Sequence, residues 1–103
     1  MQRGEIRWYK FPHPDKRRPV LILTRDSAIG VLGELTVAPI GTTIRGIASE
    51  VVLTQGEGMP RECVVQLDHV QTVSKGRIGE RIAALAPDRW REVREALLYA
   101  TGF

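Results

Sequence analysis

Two short segments of this 103-residue chain hold residue types that could act on a phosphodiester. The first is Asp15-Lys16-Arg17-Arg18-Pro19, set directly against the apolar run Val20-Leu21-Ile22-Leu23. Proline stiffens the join between the charged cluster and the strand. Arg18 therefore stands at a strand edge, where its planar fork could clamp a phosphate through two hydrogen bonds. The same cluster also reads as a solvated loop whose charges guard a strand edge from pairing. The second segment, Pro39-Ile40-Gly41-Thr42-Thr43-Ile44-Arg45-Gly46, ends a strand and then presents two hydroxyls and an arginine between glycines. Those hydroxyls could hold a phosphate, or they could bond to loop backbone, as Thr commonly does in turns. His13, in the loop Phe11-Pro12-His13-Pro14-Asp15, has an intrinsic pKa suited to proton transfer near neutrality; an exposed loop histidine is the plainer reading. His69 lies where two strands join and reads as a packing residue.

What surrounds these residues narrows the chemistry. The chain has no Gly-rich phosphate loop, no HExxH, no nucleophile elbow and no paired Cys or His at metal spacing. Its carboxylates Asp15, Asp26, Glu34, Glu50, Glu57, Glu62, Asp68 and Glu80 are scattered, without the neighbouring acid that a two-metal nuclease needs. A nuclease built on this chain is expected to work without a metal or other cofactor. Lys plus Arg number 15 against 12 acids, a net charge of +3 that favours a polyanionic partner only mildly. The weight lies near the start, at Arg3, Arg7, Lys10 and Lys16-Arg17-Arg18. The lone cysteine, Cys63, rules out an intrachain disulfide, and its place in Cys63-Val64-Val65 predicts a buried thiol. The first residues carry no apolar secretory segment, and no run approaches the ~18 apolar residues of a membrane span. A cytoplasmic location is expected.

The elements that must position these groups are short. Six or seven apolar runs separated by turn residues predict a mainly β protein. Ile6-Arg7-Trp8 alternates, placing Ile6 and Trp8 on one strand face, and Val20-Leu21-Ile22-Leu23 reads as a central strand buried on both sides. Arg25–Gly30 reads as a single helical turn. Leu35–Ala38 makes a third strand ended by Pro39, Val51–Leu53 a fourth, Val64–Leu67 and Val70–Val73 two more, and Ile82–Leu85 a last short one. Pro87 opens the one long helix, with Trp90, Val93, Leu97 and Ala100 on a single stripe and Gly102 as its stop. Trp90 is thereby assigned to the core. The whole, residues 1–103, reads as a single domain: an SH3-like β-barrel with a C-terminal α-helix.

Several blocks of the sequence, in order, resemble the MazF/PemK toxin family. They are Gly4-Glu5-Ile6, Arg17-Arg18-Pro19-Val20-Leu21-Ile22-Leu23, Thr24-Arg25-Asp26, Val37-Ala38-Pro39-Ile40, Thr43-Ile44-Arg45-Gly46, Ser49-Glu50-Val51, and Val65-Gln66-Leu67-Asp68 leading to Val70-Gln71-Thr72. The resemblance implies a homodimer of CcdB/PemK/MazF-like barrels, the toxin of a type II toxin–antitoxin pair. It implies cleavage of single-stranded RNA at a short sequence without a metal, through attack of the ribose 2′-OH on its own phosphorus. A MazE-like antitoxin is the implied partner, blocking the RNA groove with an extended acidic peptide. The family's catalytic Arg before Pro falls on Arg18. Its catalytic hydroxyl falls, in an ungapped match, on Gly41, so Thr42 is the residue expected to take that role. Lys16, Arg17, Thr43 and Arg45 are expected phosphate contacts, His13 flanks the groove, and Tyr9, Phe11 and Gln71 are the candidates for base contact. The loops around residues 11–17 and 55–62 would set the cleavage sequence. The alternative is a binder without catalysis on the same barrel, either a CcdB-like gyrase inhibitor or an RNA-binding relic in which Gly41 has impaired the chemistry.

Overall fold

The computed structural model describes residues 1–12 and 16–103. Seven strands precede the terminal helix: β1 (Glu5–Lys10), β2 (Arg17–Ile22), β3 (Glu34–Gly41), β4 (Glu50–Leu53), β5 (Cys63–Gln66), β6 (Gln71–Ser74) and β7 (Ile78–Ala84). A one-turn helix, α1 (Asp26–Ile29), joins β2 to β3, and α2 (Trp90–Thr101) closes the fold. All ladders are antiparallel and run in the order β4-β5-β3-β2-β1-β7, with β6 also paired to β3. The expected mainly β architecture with a C-terminal helix is what forms; the ladders trace an open path from β4 to β7.

β3 organises this path. One edge pairs β2 through Val37–Pro39. The other edge pairs β6 through Glu34–Val37 and then β5 through Ile40 and Gly41. Pro39 therefore does not end the strand, contrary to the sequence expectation. The Thr36 carbonyl faces β2, where it accepts the Leu23 N–H at 2.9 Å, so by alternation residue 39 faces the opposite edge. There it falls between the β6 and β5 ladders, and a missing N–H leaves no bond unmade.

Period-two alternation sorts the side chains of β1, β2 and β3 into two cores. Ile6, Leu21, Ala38 and Ile40 join Val51, Leu53, Cys63 and Val65 from β4 and β5, together with Val93 and Ala96 of α2. Tyr9, Phe11, Val20, Ile22, Leu35 and Val37 form the second core on the opposite face. Val20, Leu21 and Ile22 are fully buried, as a continuous apolar run requires. β7 is longer than Ile82–Leu85 suggested, because its first half, Ile78-Gly79-Glu80-Arg81, is mostly exposed and lacks an apolar run. His69 is exposed in a 3-10 turn, not packed.

α2 lays Trp90, Val93, Leu97 and Ala100 on the first core, as its stripe predicts. Trp90 also carries the Arg3 guanidinium 4.5 Å from its ring centre, and Gly102, at φ 81°, ends the helix in the left-handed conformation. Ahead of the helix, Arg89 ties three elements together. It donates to Glu57, to Glu92 at 3.0 Å and to the Val52 carbonyl of β4 at 2.7 Å. Burial pushes the Glu57 carboxyl up, but the Thr54 backbone N–H and Arg89 outweigh it and hold the group below its ordinary 4.5. A depressed carboxylate stabilises the fold above its unfolded pKa, and the contribution disappears as pH falls through the folded value. Glu57→Gln should cost about 1–2 kcal/mol at neutral pH. On acidification well below 4.5 its melting temperature should converge on that of the wild type, as followed by circular dichroism.

Candidate functional site

A groove of about 740 Å³ opens where β1, β2, β3 and β5 meet two loops. β2 supplies Arg17, Arg18 and Pro19, with Lys16 just ahead of the strand. Arg18 is half-buried opposite Tyr9, and Pro19 lies opposite Trp8, so the strand ladder fixes the backbone that carries the guanidinium. β3 brings Ile40 and Gly41 to the floor and then releases the chain into Thr42, Thr43 and Arg45. The opposite wall is Met59, Pro60 and Arg61 from the loop before β5, with Cys63 and Gln66 from the strand itself.

The loop after β3 is held at its return. Glu50 Oε1 accepts the backbone N–H of Arg45 at 2.9 Å and of Gly46 at 3.1 Å. Gly46 sits at φ 71°, a left-handed conformation in which glycine carries no steric cost. Next to it, buried Ser49 donates its hydroxyl to Asp68. Thr42 and Thr43, exposed on this loop, thus leave a fixed strand end and re-enter a fixed turn.

The electrostatics are one-sided. Lys16, Arg17, Arg18, Arg45 and Arg61 all line the groove, and no described lining residue is an acid. Five cations in one concavity create a positive potential that draws a polyanion. The Arg17 guanidinium lies over the Trp8 ring, 4.4 Å from its centre, a cation–π contact that fixes both. Among the described residues no three of His, Cys, Asp and Glu cluster as a metal site would need. Burial raises the Cys63 thiol pKa, with Glu57 and Glu62 adding to the rise, so it is a poor nucleophile at neutral pH.

Six of the residues singled out from the sequence converge here: Arg18, Thr42, Lys16, Arg17, Thr43 and Arg45. Gln71 does not line the groove; it sits on β6, opposite Val37, with its side-chain amide donating to the His69 carbonyl at 3.2 Å. Tyr9 and Phe11 are 7% and 8% exposed and pack edge to face in the second core, so they offer no stacking surface. His13 lies outside the described residues. Trp8, Arg61 and Gln66 are groove residues that the sequence did not reveal. Trp8 shares the Ile6 face but lies beyond the core, while Gln66 is the single polar residue closing the β5 run.

The sequence matches, over residues 2–100, the family described as PemK-like, MazF-like toxins of type II toxin–antitoxin systems. It is 46% identical over 96 residues to the probable endoribonuclease MazF5 of Mycobacterium tuberculosis, covering 92% of this chain and 87% of that one. The probable endoribonuclease MazF2 of the same organism is 38% identical over 103 residues, 99% of both chains. Among solved structures, the Mycobacterium tuberculosis toxin MazF-mt6 superposes with a TM-score of 0.89 at 36% identity, over 96% of this chain and 97% of that one. A chain of the MazE–MazF crystal structure from Deinococcus radiodurans gives a TM-score of 0.82 at 28% identity, over 100% of this chain and 96% of that one. With that match running almost from end to end and the same architecture in its relatives, the chain belongs to the PemK-like, MazF-like toxins of type II toxin–antitoxin systems.

Proposed function

We propose that this protein is an endoribonuclease that binds single-stranded RNA in the basic groove and cleaves it without a metal. One observation carries the reading: Arg18 and the Thr42–Thr43 hydroxyls open on one groove with four further cations and no described acid. The naming of its relatives as endoribonucleases supports it.

In the proposed reaction a ribose 2′-oxygen bonds to the adjacent phosphorus and the bond to the 5′-oxygen breaks. This leaves a 2′,3′-cyclic phosphate and a 5′-hydroxyl. The 2′-proton passes to solvent, and the departing 5′-oxygen takes a proton from a water that Arg18 holds. Arg18 is suited to stabilising the charge that builds on the phosphorane, because it stays protonated and presents a planar set of donors. It is unsuited to act as a base for the same reason. Thr42 orients the phosphate or the attacking hydroxyl by hydrogen bonding, and Lys16, Arg17, Thr43 and Arg45 hold the flanking backbone. His13, three residues ahead of Lys16 in the sequence, is a further candidate for RNA contact.

The protein would act in the cytoplasm as a homodimer, as one MazF/PemK-like domain per chain. A MazE-like antitoxin would inhibit it by laying an acidic peptide along the cations; the MazE–MazF assembly from Deinococcus radiodurans supports such a partner. No helix among the described residues is long and apolar enough to cross a membrane. The gyrase-inhibitor alternative draws no support from α2, whose Trp90 is packed on the first core.

Purified protein should cut a long single-stranded RNA in excess EDTA, leaving 5′-hydroxyl ends that polynucleotide kinase labels without prior phosphatase treatment. Intact RNA at high enzyme concentration would reject the reading. Arg18→Ala should lower single-turnover cleavage about 10²–10³-fold while the protein stays folded by circular dichroism, and Thr42→Val about 3–10-fold. Arg61→Ala should weaken RNA binding and reduce the slope of log Kd against log salt by about 0.7, as one lost phosphate contact on a single strand requires.

A further inference from the structure

We propose that Gln66 reads a nucleobase, so that this carboxamide, and the bare glycine that makes room for it, set the preferred base at one position of the cut RNA. The inference rests on the groove being an RNA site, and it goes further by assigning a specificity-determining residue.

Gln66 is the last residue of β5, diagonal across the ladder from Gly41, which pairs with Val64. The nitrogen end of its side-chain amide lies over Gly41. A Cβ placed on residue 41 would stand 2.8 Å from Gln66 Nε2, 3.4 Å from Cδ and 3.8 Å from Oε1. Any side chain at position 41 would therefore displace the amide. The carboxamide lines the groove and hydrogen-bonds to no described residue. Neither of its polar atoms is a buried atom left without a partner, so water can satisfy them until a ligand replaces it.

The chemistry of the neighbours says which ligand part it suits. Lys16, Arg17, Arg18, Arg45 and Arg61 are donors only, and phosphate oxygens are acceptors only, so these five match backbone. A carboxamide instead sets one donor beside one acceptor in a plane. That is the pattern of a base edge, and a bidentate pair of this kind discriminates by roughly 1–3 kcal/mol, about 5–150-fold, against the wrong base. Trp8, held beneath Arg17, also lines the groove.

The test compares the wild type with Gln66→Leu, Gln66→Glu and Gly41→Ala. Cut sites on a long single-stranded RNA are mapped by sequencing 5′-hydroxyl ends. Gln66→Leu should relax base preference at one position of the cut sequence about 5–150-fold, and Gln66→Glu, now without a donor, should change which base is favoured there. Gly41→Ala should reproduce the Gln66→Leu profile, because its methyl displaces the amide, and the double variant should add nothing. A packing role for Gln66 would shift melting temperature or overall rate while leaving the base profile intact. The same variants are also tested by selection from a random pool of single-stranded 2′-fluoro RNA, which lacks the attacking hydroxyl and reads base preference without cleavage. A wild type that selects bases through Gln66 but never cuts would uphold the inference and reject the endoribonuclease. Cleavage by all variants with one unchanged profile would overturn the inference and keep the enzyme. A protein that neither cuts nor binds either RNA would overturn both.

Discussion

β3 is shared by everything that matters in this molecule. One of its edges holds β2, whose first residues carry Arg17 and Arg18. Its other edge passes from β6 to β5, and its last residues become the floor and hydroxyl loop of the groove. The exchange of partners depends on Pro39, which can sit in the strand only because no donor is needed between the two ladders. Continuing the strand through the proline carries Gly41 and Thr42 to the end of β2, beside Arg18. Had the strand stopped at Pro39, the arginine and the hydroxyls would have belonged to separate surfaces.

The two cores explain why this arrangement is rigid enough to use. The first core, capped by α2, lies behind β4 and β5, and so fixes the wall that holds Cys63 and Gln66. The second lies on the other face of β1, β2 and β3 and anchors the strands that carry Trp8 and Arg18. Each fully buried aliphatic side chain contributes about 1.5–3 kcal/mol, and the core residues that line the groove, Ile40, Met59 and Cys63, belong to the first core. The Arg89 cluster, joining Glu57, Glu92 and the Val52 carbonyl, fixes the approach to the loop that presents Met59, Pro60 and Arg61. Sites on rigid supports hold their geometry better than sites on free loops.

Cations gathered without an acid mark a surface built for a polyanion, but cations alone carry little sequence information. What distinguishes this groove is the neutral chemistry between them: two hydroxyls, a carboxamide lying over a glycine, and an indole covered by a guanidinium. Attraction and choice are thus divided between different residues.

Much of this was legible in the sequence, because it depended on local pattern. The buried run at Val20–Ile22, the single turn at α1, the stripe of α2 and its glycine stop all follow from periodicity and turn chemistry over a few residues. A charge cluster against a strand, and hydroxyls after one, are local features that drew attention to Arg18 and Thr42; their catalytic roles came only from the resemblance to the MazF/PemK family. The sequence could not show that Tyr9 and Phe11 turn inward while Trp8 turns to the groove, since face assignment depends on which partner strands cover each side. Nor could it show that Pro39 lies in a gap between ladders, that β7 is a polar edge strand beside β1, or that Gln71 is not among the residues lining the groove. The contact of Gln66 with Gly41 joins residues 25 positions apart and exists only once β5 pairs with β3. Local pattern determines elements; which of their side chains meet is decided by long-range pairing, which the order of residues does not state.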